Sequence, residues 1–434
     1  MKAASKRWIR KEAALLVLPL LLSACGAAGT KDGAAGQPGV EKPPAPVTLN
    51  FFYNGYSSTL IDELKQKVAQ KYPHITLNML LDQPGNAIED VLGAGTKLDL
   101  VAFAAGGLFK VMDLQLGSDL TGLAKKHGFD LNRLAPGVLD AAMSYSGNKG
   151  LTVMPYELNN SVLLYNKTIF DKFGASYPRD GMTWNDVLEL VKKTTRLDNG
   201  VQYQGFAYIG ANPVYKDQLA LPFVDPATNK ATINSDGWKR YLDVMGSFYK
   251  VQGNELKGQP DNFFFKEQTM AMRTGPSPLE LLPDAIAKGL SWDAVSFPLF
   301  PGAEQVGSQM NAPFYAIPPD SPNKDEAFKV IAYLLSDEVQ EANARKGRIP
   351  AIKSEKALKE FGSELGFLKG THYAEAVMKE KIAKPIVVTK YDGIVRGHVS
   401  GMFSSVIQNQ ADVNTAMRTA EEAANKQIAE AQSK

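Results

Sequence analysis

The sequence predicts an α/β protein, on three observations. Short apolar and aromatic runs that suit buried strands alternate with segments whose apolar residues recur at helical spacing. Near the start the order is strand, helix, strand, helix, strand, which implies a parallel sheet with right-handed crossovers. The chain has 434 residues, of which 44% are hydrophobic and 22% charged, an ordinary balance for a globular protein. Beyond a leader, roughly 390 residues remain, enough to bury a large core as two domains.

Residues 1–24 read as a secretory signal. Lys2, Lys6, Arg7, Arg10 and Lys11 form a basic stretch, and Ala13 to Leu22 an apolar one. That run is far short of the ~20 residues that span a bilayer. Leu22-Ser23-Ala24-Cys25 resembles a bacterial lipobox, where the thiol is acylated and the chain is cut just before it. Cys25 is therefore the expected lipid anchor, an ordinary cleavable signal with an incidental cysteine being the alternative. Two or three acyl chains hold firmly at ~0.8 kcal/mol per buried methylene. The signal carries five of the 48 basic residues and one of the 46 acidic ones, so the rest of the chain is near net −2. Such a balance leaves no basic footprint for nucleic acid. With Cys25 spent on lipid, no thiol remains for a disulfide, a zinc site or a nucleophile. Residues 25–46, rich in Gly, Ala and Pro after the cysteine, cannot bury enough apolar surface to order themselves and read as an extended tether.

Thr48-Leu49-Asn50-Phe51-Phe52-Tyr53 predicts the first strand. Thr59 with Asp62 makes a capping-box pattern, followed by Ile61, Leu64 and Val68 at helical spacing until Pro73. Ile75, Leu77 and Met79 alternate as a second strand, and Leu98 to Phe103 form a third. In parallel sheets ligands bind beyond the carboxyl ends of the strands, and Asn54-Gly55-Tyr56 and Ala104 to Gly107 occupy those ends. Val162 to Tyr165 read as a further strand. Thr183 caps a helix with Asp186 in its first turn, and Trp184 and Phe263 to Phe265 read as core. Asp325–Leu335 and Ser336–Lys346 predict consecutive helices joined at a Ser336 cap, and Ala416–Lys434 a solvated terminal helix.

Catalytic and metal motifs are absent. His74, His127, His372 and His398 show no ligand spacing, and neither a His-Glu-x-x-His helix nor a Gly-x-Ser-x-Gly elbow occurs. Gly93 to Lys97 lacks the spacing of a phosphate loop and reads as a helix-ending turn. Asp198-Asn199-Gly200 is a turn rather than a calcium loop, because the acidic series and closing glutamate are missing. No cofactor is expected.

From Gly150 onward the chain resembles the extracellular solute-binding lipoproteins of ATP-binding-cassette (ABC) sugar importers, the maltodextrin-binding-like cluster. The resemblance is carried by Leu151 to Tyr156, Leu163-Leu164-Tyr165-Asn166-Lys167, Ile169 to Gly174 and Thr183 to Val187. It continues through Phe265, Met270-Ala271-Met272, Gly275-Pro276, Trp292-Asp293 and Phe297 to Gly302, and on to Gly347-Arg348-Ile349-Pro350. Tyr72 to Ile75 and Asp99 to Val101 extend it toward the start. Each motif is weak alone; their order and spacing together are specific. The resemblance implies a two-lobed periplasmic-binding-protein-like fold of type II, with an interlobe cleft and crossing hinge strands. By analogy the crossings fall near Val153–Glu157 and Phe297–Gly302. One lobe would combine 47–154 with 300–343, and the other 155–299 with 344–434. The implied function is capture of a carbohydrate ligand by a monomer that delivers it to ABC permease subunits in the membrane.

The implied site takes Asn54 and Tyr56 from the loop after the first strand, and Tyr156, Glu157 and Asn159 from the first crossing. Tyr208, Asn212, Arg273, Ser277 and Asn311 come from the edge of the other lobe and the loops facing it. Amides, carboxylates and tyrosines supply the donors, acceptors and aromatic faces that a sugar needs. Three departures matter. Ser277-Pro278 stands where maltodextrin binders carry a stacking tryptophan, Gln268 replaces the family glycine, and Gln309 to Pro313 replace a glycine-rich segment. A linear glucose oligomer is therefore not implied. The alternatives are an exported enzyme acting on polysaccharide, and the same fold binding a non-sugar solute.

Overall fold

Strand β1 (Val47–Tyr53) starts the fold immediately after the tether, with Leu49, Phe51, Phe52 and Tyr53 buried. The computed structural model describes residues 44–433 apart from 55–57, 147–149, 209–217, 256–257, 276–277, 303–305, 308–309, 311 and 380, with 58–60, 105 and 208 by backbone alone. The expected signal, Cys25 and the tether up to Pro43 lie outside the described residues. Ala45–Lys434 forms one compact unit.

Helix α1 (Ser58–Lys71) leads to β2 (Ile75–Leu81), paired in parallel with β1 from Val47↔Ile75 to Tyr53↔Leu81. The helix begins at Ser58, so Thr59 stands inside its first turn rather than ahead of it. After α2 (Ile88–Gly93), Gly95 turns the chain at φ +77°, a left-handed conformation that glycine takes without steric cost. β3 (Leu100–Phe103) then pairs in parallel with the other side of β1. Three short helices follow, α3 (Leu108–Asp113), α4 (Leu120–Lys126) and α5 (Val138–Ser144).

The next strands are short: β4 (Met154–Pro155), β5 (Glu157–Leu158) and β6 (Val162–Asn166). α6 (Lys167–Phe173) precedes α7 (Trp184–Thr194), whose start is a full capping box between Thr183 and Asp186. β7 (Arg196–Asp198) and β8 (Val201–Tyr208) form a hairpin closed by Asn199 and Gly200, both at positive φ as a tight two-residue turn requires. β9 (Val224–Asp225) and β10 (Lys230–Ala231) form a small hairpin before α8 (Asp236–Ser247). A π-helical turn, Asn262–Lys266, precedes β11 (Met270–Gly275), burying Phe264 and Phe265. Gln268, in place of the family glycine, adopts φ +56° and donates its amide to the carbonyls of Ala285 and Lys288. Those carbonyls end α9 (Leu282–Ala287), which precedes β12 (Trp292–Ser296) and β13 (Phe314–Ala316). α10 (Lys324–Leu334) and α11 (Asp337–Arg345) meet at Ser336, whose hydroxyl accepts from the Val339 N–H. β14 (Ile349–Pro350), α12 (Glu355–Lys359), α13 (Tyr373–Met378), α14 (Asp392–Ile407) and α15 (Val413–Gln432) complete the chain.

Two five-stranded sheets organise these elements. The first has the order β2-β1-β3-β13-β4 and the second β12-β6-β11-β8-β7. β13 runs antiparallel to β3 and β4, and β6 antiparallel to β11 and β12. Between the sheets, β5 and β14 pair as a separate ribbon. Phe297 and Phe300 are buried in the core of the second sheet, and the chain rejoins the first only at Phe314.

The terminal helix differs from its expected solvated state. Ala416, Ala420, Ala424 and Ile428 recur every four residues and are buried, with α15 packed on α14 and α8. Alanines among charges read as helix formers, yet on one face they make an apolar stripe narrow enough for a close helix contact.

Candidate functional site

The carboxyl ends of β1, β3 and β4 in the first sheet and of β8, β11 and β12 in the second supply the edges where a parallel arrangement places ligands. β4, an edge strand of the first sheet, passes into β6 of the second through only six residues. Between the halves built on them lies a cavity of about 670 Å³. Its first wall is formed by Val111 and Met112 of α3, Tyr145 and Ser146 after α5, and Thr152 and Val153 before β4. Its second wall is formed by Pro226 and Asn229 of the β9–β10 hairpin and by Val387 to Lys390 ahead of α14. The walls touch where the Val388 N–H donates to the Ser144 carbonyl.

The volume falls within the ~300–1,000 Å³ of small-molecule sites. Lys390 is the one charged side chain in the described lining; the rest are hydroxyls, amides and aliphatic groups. Alternating hydroxyl and amide groups with apolar patches suit a neutral solute that carries many hydroxyls. Apart from Lys390, such a lining desolvates without stranding a charge.

The sequence-predicted site residues are dispersed. Asn54 lies at the end of β1 and donates its amide to Asp82 beyond β2. Tyr156 is 5% exposed, and its ring stacks on Tyr315 with centroids 4.2 Å apart and planes 20° apart. Glu157 pairs with Arg348 at 3.2 Å across the β5–β14 ribbon. Asn159 is half-buried between that ribbon and β6. Tyr208 ends β8 opposite Thr274 in the ladder. Arg273 is 1% exposed and directs Nε and a terminal nitrogen to Asp261 at 2.9 and 2.8 Å, with its guanidinium 5.3 Å from the Phe265 ring centroid. That geometry fastens the π-helical turn to β11. Tyr56, Asn212, Ser277 and Asn311 lie outside the described residues. None of the described predicted residues lines the 670 Å³ cavity. Tyr145, Thr152 and Asn229 do, and no local pattern singles them out: the second wall joins Pro226 and Asn229 with Val387 to Lys390, the latter more than two hundred residues beyond the first wall.

A second, small cavity of about 60 Å³ borders Tyr53, Tyr156, Tyr315, Gln340 and Arg348. It has room for ordered water only. Burial pushes the Tyr315 hydroxyl well above the usual phenol range, so the phenol stays protonated.

Among the described residues, one group places three potential metal ligands within 4.8 Å of one another: Asp180, His372 and Glu375. The ammonium of Lys379 already bridges both carboxylates, 2.6 Å from Asp180 and 2.7 Å from Glu375. Asp180 also accepts from the Ser296 N–H at 2.8 Å and meets His372 Nε2 at 2.9 Å. Burial raises the Asp180 carboxyl, but Lys379, the Ser296 amide and His372 outweigh it and hold the group at about 2. The cluster ties the start of α13 to the end of β12 with an internal cation in place of a metal.

Residues 63–365 match the family described as bacterial extracellular solute-binding protein. Among solved structures, the chain is similar to an ABC substrate-binding protein from Listeria monocytogenes in complex with cycloalternan. Identity is 20%, covering 88% of this chain and 99% of that one, with a TM-score of 0.71. It is also similar to a sugar transporter from Rhizobium etli in an open conformation, at 20% identity, with 87% and 99% covered and a TM-score of 0.70. The sugar-binding protein MalE from Xanthomonas citri is 17% identical, with 89% and 98% covered and a TM-score of 0.71. These likenesses show the fold, the two-lobed type II architecture of periplasmic binding proteins. Comparison with curated protein sequences finds no match.

Proposed function

The chain belongs to the bacterial extracellular solute-binding proteins, and from that premise we propose that it captures a sugar or oligosaccharide and delivers it to an ABC transporter permease. The observation that carries the reading is the 670 Å³ cavity between the two halves, whose described lining is rich in hydroxyls and amides and holds a single charged side chain, Lys390. Relatives of the same fold were solved with cycloalternan and described as sugar transporters, which supports a carbohydrate as the solute. In this reading the protein acts as a carrier, since capture asks only for binding groups.

In this reading the lobes are 47–154 with 300–343, and 155–299 with 344–434, moving about the segments that join the sheets. Solute favours the closed form only through its differential affinity for the two states. A thermal-unfolding screen against neutral mono- and oligosaccharides tests the function. A true solute at a hundredfold excess over Kd raises stability by about 2.7 kcal/mol. Scattering with that solute shows a more compact particle. A screen in which no carbohydrate stabilises the protein removes the sugar reading, and release of cleaved product replaces it with an enzyme.

The lipobox-like segment supports a lipid anchor at Cys25 that holds the protein on the extracytoplasmic face of the cell membrane. No helix among the described residues is long and apolar enough to cross a membrane. The variant Cys25→Ser is expected to leave the fold intact and to move the protein from the membrane fraction to the soluble one. Retention of the variant on membranes after a salt wash contradicts the anchor.

A further inference from the structure

The segment that joins β4 of the first sheet to β6 of the second pairs, in the β5–β14 ribbon, with the segment that leaves α11 toward α12, Leu158 facing Ile349 and Glu157 facing Pro350. Pro350 has no N–H, so it cannot donate to its partner strand. One residue beyond that pair stand Tyr156 on one strand and Ala351 on the other. The side chain of Gln340, on α11, closes the gap between them. Its Nε2 donates to the Tyr156 carbonyl at 2.9 Å and to the Leu334 carbonyl at 3.0 Å. Its Oε1 accepts from the Ala351 N–H at 3.0 Å. Gln340 is 2% exposed, so both amide hydrogens and the oxygen are matched out of water. A buried, fully matched polar group of this kind rigidifies what it connects. On the other side of the ribbon the chain runs through Asn159, Asn160 and Ser161 without strand pairing before entering β6.

We infer that Gln340 is the positioning residue of the hinge. It welds both strands of the ribbon to the first half, so bending in the β4–β6 connection is confined to the far side of the ribbon, around Asn159 to Ser161. The inference rests on the reading that the halves move against each other. Without the amide, Tyr156 and Ala351 separate from α11, and the pivot spreads into the first half.

The measurement of the variants needs no solute. Spin labels at Lys65→Cys on α1 and Lys193→Cys on α7, both exposed, report the distance between the halves on a Cys25→Ser background. In Gln340→Glu the neutral acid keeps one donor and one acceptor, whereas the carboxylate faces two carbonyl oxygens. Buried glutamates titrate as high as about pH 8–9. The distance distribution of this variant is expected to match the wild type near pH ~5 and to broaden about twofold near pH ~9.5. Glu63, Lys67, Lys346 and Arg348 border the adjacent small cavity and are retained in the wild type, which serves as the pH control. Gln340→Leu is expected to be broad at both pH values; should it fail to fold, the Glu variant decides alone. A Glu variant with wild-type width at both pH values overturns the inference. Solute-induced compaction in the wild type with unchanged variant widths removes the pin and leaves closure standing. Broadened variants with no solute-induced change in the wild type leave the pin and remove closure.

Discussion

Tyr156→Ala is expected to destabilise the solute-free protein by about 3–5 kcal/mol, the cost of truncating a buried aromatic. The ring is 5% exposed and lies face to face with Tyr315, 4.2 Å between centroids. Offset stacks of this kind add ~0.5–1.5 kcal/mol beyond area burial. Tyr315 in turn pairs with Met154 of β4, so the two rings lock the last strand of the first sheet to the first crossing. Loss of the ring leaves a void against Tyr315 where water has little room. The resemblance implies instead a ring that meets the solute, and the two roles separate cleanly. Chemical unfolding of the unliganded variant and calorimetric affinity are measured side by side. A variant as stable as wild type, with affinity reduced about a hundredfold, assigns the ring to the solute instead.

Trp184→Ala carries an effect of similar size, about 3–5 kcal/mol, through a different network. The indole is fully buried among Phe206, Phe248, Phe297 and Phe300. Its Nε1 donates to Gln218 Oε1 at 3.0 Å, and Gln218 Nε2 donates to the carbonyls of Pro298 and Val306, each at 2.8 Å. Truncation therefore opens a cavity and also leaves the buried Gln218 oxygen short of a donor. The Pro298–Val306 segment carries the chain from the second sheet back toward the first, so its amides are expected to exchange faster with solvent in the variant. A double-mutant cycle with Gln218→Leu measures the polar share. Additive losses in that cycle contradict the coupling.

Local chemistry made the framework legible. β1, β2 and β3 announce themselves as apolar runs separated by helical spacing, and their parallel pairing follows from that order. Thr183 with Asp186, Ser336, and Asn199-Gly200 are boundary signals whose geometry is decided within four residues. The candidate site was much less legible. Arg273 and Tyr156 are residue types that suit a sugar, yet a guanidinium or a phenol suits a core equally once Asp261 or Tyr315 is beside it. Type alone does not say which partner arrives.

The sequence by itself determined the α/β alternation, the parallel start and, through the order of many weak motifs, the family to which the chain belongs. Those features depend on neighbours a few residues away, where apolar period and backbone preference act directly. Only the tertiary structure decided that the two-residue strands β5 and β14 pair, that Gln340 bridges them, and that Tyr145 and Thr152 share a cavity wall opposite Asn229 and Lys390. Two residues are too few to show a period, and a single glutamine in a helix carries no sign of the strands it will hold. Contacts across two hundred residues of chain exist only after both cores have closed and set the distance between them.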